Sequence, residues 1–227
     1  MRDLLRSPVT WSLVVAIVGI QLWVGHSGGP EGVRRVYEVF GLSREGCRSG
    51  NLWQLATYGM LHGNGWHVGM NALFVLLVGS RIERMLGGRG LLWACVWGVL
   101  GGGVAHLALG GGLLVGFSGA CFALVLLVAA ISPQSRMLGL PLSGRSLGLG
   151  VLVAEGVLAM IDPAAGLPGL GAIGGLLEGL GLSAIFDMGH ACHLGGGVAG
   201  LAFGGWILRP RVTLAQLRAD RERRERH

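Results

Sequence analysis

The chain has 227 residues, of which 52% are hydrophobic and 13% charged, with a mean hydropathy of +0.61. A soluble domain carries about 25% charged residues, so this chain is too apolar to be wrapped in water. The net charge of +6 comes from 18 arginines and no lysine. These lie at the ends and in short loops, a distribution that reads as membrane topology and not as nucleic-acid binding.

Six apolar runs follow along the chain, at about 9–24, 66–79, 91–109, 117–131, 147–161 and 194–208. The first lacks a small-residue cleavage site and is expected to stay in place as a span. Several runs are shorter than the ~20 residues a bilayer core requires, so some helices must tilt or start inside the membrane. The 44 glycines have no triplet period, which excludes collagen. Glycine lets membrane helices approach closely. Cys47, Cys95, Cys121 and Cys192 form no CxxC pair or zinc spacing and read as small hydrophobes.

Arginine placement orients the runs. With the N-terminus inside, fourteen arginines are cytoplasmic: Arg2, Arg6, Arg81, Arg84, Arg89, Arg136, Arg145 and seven in the tail from Arg209 to Arg226. Only Arg34, Arg35, Arg44 and Arg48 fall outside, in a long first loop with Glu31, Glu38 and Glu45. The bias obeys the positive-inside rule. Residues 167–186 could form a seventh span, but they contain Pro168, Glu178 and many glycines, and would turn the tail outward. They read as a long outer loop. The expected fold is an all-α polytopic membrane protein with six spans and both termini cytoplasmic. Residues 1–208 form the bundle and 209–227 an arginine-rich tail, either a short amphipathic helix at an anionic membrane face or a solvated terminus.

Polar residues at membrane depth are costly and usually functional. Here they are His62, His67, Asn71, His106, Ser118, Glu155, His190 and His193. Ser118 lies in Gly116-Phe117-Ser118-Gly119, at the mouth of an apolar run. A backbone N–H at a helix start has no intrahelical partner and can donate to an oxyanion. Alone, this motif also fits a packed helix cap. His193 stands one turn before Gly196, Gly200 and Gly204, whose spacing lays a smooth groove along one helix face. A helix seated in that groove would bring its first turn to His193. His193 could equally bond a loop carbonyl. His67 and Asn71 are four residues apart on one face and could stabilise developing negative charge. Glu155 and His106 have no evident partner, and a structural hydrogen bond is expected for each.

Together these elements resemble the rhomboid family of intramembrane serine proteases, of bacterial type. The family spacing of two histidines and an asparagine matches His62, His67 and Asn71. Its Gly-x-Ser-Gly matches Gly116 to Gly119, and its histidine with glycines three and seven residues later matches His193, Gly196 and Gly200. The resemblance covers about residues 50–208. It implies a serine endopeptidase, a hydrolase in the cell inner (plasma) membrane, with Ser118 as nucleophile and His193 as base in a dyad without Asp. His67, Asn71 and the Ser118 N–H would form the oxyanion hole, and His62 a supporting network. Phe122 would support the imidazole of His193. Glu83 and Arg84 resemble the cytoplasmic end of the second span.

Substrates would be transmembrane segments of other proteins in the lipid bilayer. Neither a cofactor nor a metal is implied, and nothing in the sequence sets an oligomeric state. Trp53-Gln54 departs from the family's Trp-Arg and puts a first-loop contact in doubt. Cys192 replaces a usual Ala. His190 competes as base but lacks a glycine three residues on. The stretch 162–189 is expected to act as a lid. A non-proteolytic rhomboid-like protein that binds membrane clients and a small transporter are the rival readings. The presence of both Ser118 and His193 argues against the first, and the lack of an internal repeat against the second.

Overall fold

The computed structural model describes residues 6–136, 141–165, 167–209 and 214–225. Arg2, Arg211 and Arg226 of the topology argument lie outside the described residues. The first run forms α1 (Pro8–Gly25), which opens on a proline, where the missing N–H costs nothing. The next two N–H groups of α1, from Val9 and Thr10, donate to the Glu83 carboxylate at 3.0 and 2.8 Å, and the Thr10 hydroxyl donates at 2.7 Å. Glu83 therefore caps α1 from a distant part of the chain, satisfying donors a helix start leaves open.

The long first loop is helical. It holds α2 (Gly29–Phe40), α3 (Arg44–Arg48) and α4 (Gln54–Thr57). No residue of α2 is buried, so it lies on the outside of the bundle. Gln54 makes the loop contact that its departure from the family pattern put in doubt. It is fully buried, donates from Nε2 to the Glu38 and Val39 carbonyls at 3.1 and 3.3 Å, and accepts the Ser43 N–H at 3.2 Å.

Next come α5 (Gly65–Phe74), a π-helical turn (Val75–Gly79) and α6 (Ser80–Leu109). Inside α6, Gly87 takes φ +73° and ψ 170°, which no helix contains. The chain doubles back there, so that Gly79 lies against Leu91. Positive φ at that corner requires glycine. The remaining helices are α7 (Ser118–Ile131), α8 (Gly144–Ile161), α9 (Leu170–Gly179), α10 (His190–Ile207) and α11 (Leu214–Glu225).

Each of the six apolar runs falls on helix to within a residue. The stretches 8–25, 65–109 and 144–161 are long and apolar enough to cross a membrane. Residues 167–186, read as a long outer loop against a seventh span, contain the short helix α9. At ten residues α9 is too short to span a bilayer core. Among the described residues there is helix and no strand. The chain is an all-α, multi-pass membrane protein.

The core is α7, ten of whose fourteen residues are buried. The glycine stripe of α10 packs on it. A Cβ at Gly196 would stand 2.1 Å from the Gly119 carbonyl oxygen, and one at Gly200 2.1 Å from that of Ala123. Only glycine allows backbones so close. Another face of α10 meets α6, with Gly195 against Gly101 and Ala105. At one end of the bundle Arg81 donates to the Arg136 carbonyl at 3.4 Å, joining two arginine-bearing turns. The polar side chains gather towards the other end.

Candidate active site

Ser118 is the first residue of α7, and three contacts hold its approach loop. The Gly116 N–H donates to the Tyr58 carbonyl at 3.0 Å. The Phe117 N–H donates to His62 Nε2 at 3.4 Å. Gly116 itself adopts φ +133°, and a Cβ there would meet the His67 ring at 2.6 Å. Its lack of a side chain is thus required by backbone conformation and by the histidine alike. His62 is fully buried, and its own backbone is pinned: its carbonyl accepts the Tyr37 hydroxyl at 2.5 Å and its N–H reaches Gln21 Oε1 at 3.1 Å.

The glycine stripe sets α10 so close to α7 that His193 Nε2 lies 3.0 Å from Ser118 Oγ. Phe122, one turn into α7, stacks on the His193 ring with centroids 4.1 Å apart and planes at 7°. Buried Tyr58 sits beneath, donating to the Val99 carbonyl at 2.6 Å with Cys192 Sγ 3.6 Å from its hydroxyl. Cys192 is therefore a packing residue of the α10 start.

His67 and Asn71 lie on α5, whose N-cap is Asn64, accepting the His67 N–H at 2.8 Å. The His67 ring meets that of His62 edge to face at 5.1 Å. Asn71 is 5% exposed and its Oδ1 lies 3.6 Å from Cys121 Sγ. Its Nδ2 is buried without a partner among the described residues. An unmade hydrogen bond on a buried donor is costly; on α7 the side chain that Asn71 meets is Cys121, three residues after Ser118.

The structure brings Ser118, His193 and Phe122 into contact, sets His67 against Gly116, and ties His62 to the loop that delivers Ser118. His190 does not touch Ser118. Its Nε2–H donates to the Ile185 carbonyl at 2.8 Å. His106, in α6, donates from Nε2 to the Gly112 carbonyl at 3.3 Å, a structural bond as expected.

Glu155 on α8 makes the hydrogen bond expected of it, but with partners the sequence did not name. The sequence offered no carboxylate for the histidines, yet Glu155 Oε2 lies 2.7 Å from His190 Nδ1 and 3.2 Å from His193 Nδ1. The only signal in the sequence was an acid within an apolar run, and no spacing rule connects it to residues 35 and 38 positions later. The ligand atoms of Glu155, His190 and His193 all lie within 4.8 Å of one another, a spacing one ion could use. The 2.7 Å separation is nevertheless that of a hydrogen bond and leaves no room for an ion between that pair.

A cavity of about 770 Å³ between α6 and α10 is lined by apolar side chains, including Trp97, Leu100, Val104, Leu194, Val198 and Trp206. None of the polar cluster lines it, so it is not the site of chemistry.

Residues 49–211 match the family model described as Rhomboid domain. No curated protein matches the chain.

Proposed function

Because the chain belongs to the rhomboid family, we propose that it is an intramembrane serine endopeptidase that cleaves transmembrane segments of other membrane proteins near the outer membrane face. The single observation that carries this reading is the 3.0 Å contact between Ser118 Oγ and His193 Nε2 at the start of α7. That is hydrogen-bond reach for a general base on its nucleophile.

Ser118 attacks the scissile carbonyl while His193 accepts the hydroxyl proton. The oxyanion is held by the Ser118 N–H, His67 and Asn71. His193 returns its proton to the leaving amine, and water then frees the acyl-enzyme. In this reading six spans carry the chain with both termini in the cytoplasm. The site lies near the surface opposite the arginine-bearing turns, where water enters from outside. The segment with α9 covers it as a lid.

Fluorophosphonate labelling of the purified full chain tests the reading. The wild type labels and Ser118→Ala does not, and a reconstituted transmembrane substrate is cut only by the wild type. Undiminished labelling of Ser118→Ala would remove the nucleophile assignment. Absence of labelling and cleavage in the wild type would favour a client-binding relative without proteolysis.

A further inference from the structure

Glu155 belongs to none of the family's motif positions, yet it touches the ring proposed as the base. The hydrogen bonds around it fix a proton inventory. The Ile185 carbonyl can only accept, so His190 carries a hydrogen on Nε2. For Ser118 to give up its proton, His193 Nε2 must be bare, and the neutral ring then carries its hydrogen on Nδ1. That Nδ1–H faces Glu155 Oε2. Oε2 also lies 2.7 Å from His190 Nδ1, which needs a second shared proton. All four bonds are satisfied at once with His193 neutral and one proton shared between His190 Nδ1 and Glu155 Oε2, which on His190 makes Glu155 a carboxylate and His190 an imidazolium. The three groups then sum to zero charge, which is what a membrane-embedded cluster tolerates best.

We infer that Glu155 is a positioning residue for the reaction: its carboxylate holds His193 in the Nδ1–H tautomer with Nε2 on Ser118, and His190 is the counter-ion that keeps that carboxylate in place. The inference rests on the protease reading above. The His193 ring is thereby fixed on three sides, by Phe122 across its face, Ser118 at Nε2 and Glu155 at Nδ1. When Nε2 takes the Ser118 proton, the new imidazolium faces a carboxylate that stays ionised. Buried carboxylates serve histidine bases this way in the Ser-His-Asp enzymes. Here the acid comes from a third helix, α8, and shares its oxygen with a second histidine.

The test measures the saturation kinetics of fluorophosphonate labelling on the full chain in detergent, which separates probe binding from the chemical step. Glu155→Gln should slow the chemical step by between about tenfold and about 10⁴-fold, the upper value being the cost of the same carboxylate-to-amide change in the template triad, with probe binding unchanged. Glu155→Asp, which keeps the charge, should recover part of the rate. A merely structural role would instead lower the folded fraction and leave the rate of the folded fraction at the wild-type value, and that result would overturn the inference. So would equal rates for the Gln variant and the wild type. Should the Gln variant not fold, nitrogen NMR of labelled histidines in the wild type decides. His193 should carry its proton on Nδ1 and His190 on both nitrogens, and His193 protonated on Nε2 alone would refute the proposal. If the wild type does not label through Ser118, the protease reading fails first, and this role falls with it.

Discussion

Gly116 carries two demands at one Cα, a positive φ and contact with the His67 ring. Gly116→Ala must relieve both by moving the loop that delivers Ser118. Strain of this kind costs about 1–3 kcal/mol, and a displacement near 1 Å at a reacting atom costs about 10²-fold in rate. Labelling of Gly116→Ala should therefore fall about a hundredfold, while thermal unfolding in detergent shifts only modestly. Asn71→Ala makes a different pattern. Its Nδ2 has no partner among the described residues to lose and its Oδ1 only a weak thiol contact, so stability should change by no more than about 1 kcal/mol. The turnover number for a transmembrane substrate should fall about 10²–10³-fold, the cost of one oxyanion donor. At this scale the sequence was informative wherever residues share a helix or flank a glycine. His67 and Asn71 are four apart, Phe122 is one turn from Ser118, and Gly116 abuts the motif serine. Glu155 escaped because its partners are set by how α8 docks on α10, which no spacing encodes.

The α7–α10 contact is made of backbone, since the atoms nearest Gly196 and Gly200 are carbonyl oxygens of Gly119 and Ala123 that cannot rotate aside. Gly200→Ala should destabilise the protein by about 1–3 kcal/mol, read as a lower unfolding temperature in detergent, and should depress labelling by widening the Ser118–His193 separation. Gly205→Ala, on the same helix with nothing within 4 Å of its Cβ, should be neutral or stabilising by up to about 1 kcal/mol through helix propensity. Equal effects at the two positions would contradict this packing. The stripe was readable because glycine every fourth residue is a helical pattern with one use in a membrane. The helices α2 and α9 were not, for opposite reasons. The charges of α2 suggested a loop because its apolar face has no core to bury against, and the glycines of α9 masked its short helical run.

On the scale of the whole molecule, the described arginine-bearing turns meet at one end, through Arg81 and Arg136, and the polar cluster lies towards the other. For this arrangement the positive-inside rule predicts both termini in the cytoplasm. A protease-sensitive tag fused after His227 should be protected in intact cells and cut once they are permeabilised; cleavage in intact cells would invert the topology. Arginine positions alone gave the expectation that this tag tests, whereas the depth of each helix depends on packing that hydropathy does not report. One consequence follows from how unevenly the helices are buried. Ser118 and His193 ride on α7 and α10, welded main chain to main chain. Glu155 rides on α8, where only Gly144, Gly148 and Ala159 are buried. The hydroxyl and its imidazole thus travel as one rigid part, and the acid is mounted on another with a far looser joint. Any outward lean of α8 withdraws the carboxylate from the imidazole before it disturbs the serine. On the inferred role of Glu155, the seating of one weakly held helix would engage or release the acid while the Ser118–His193 pair stays in place.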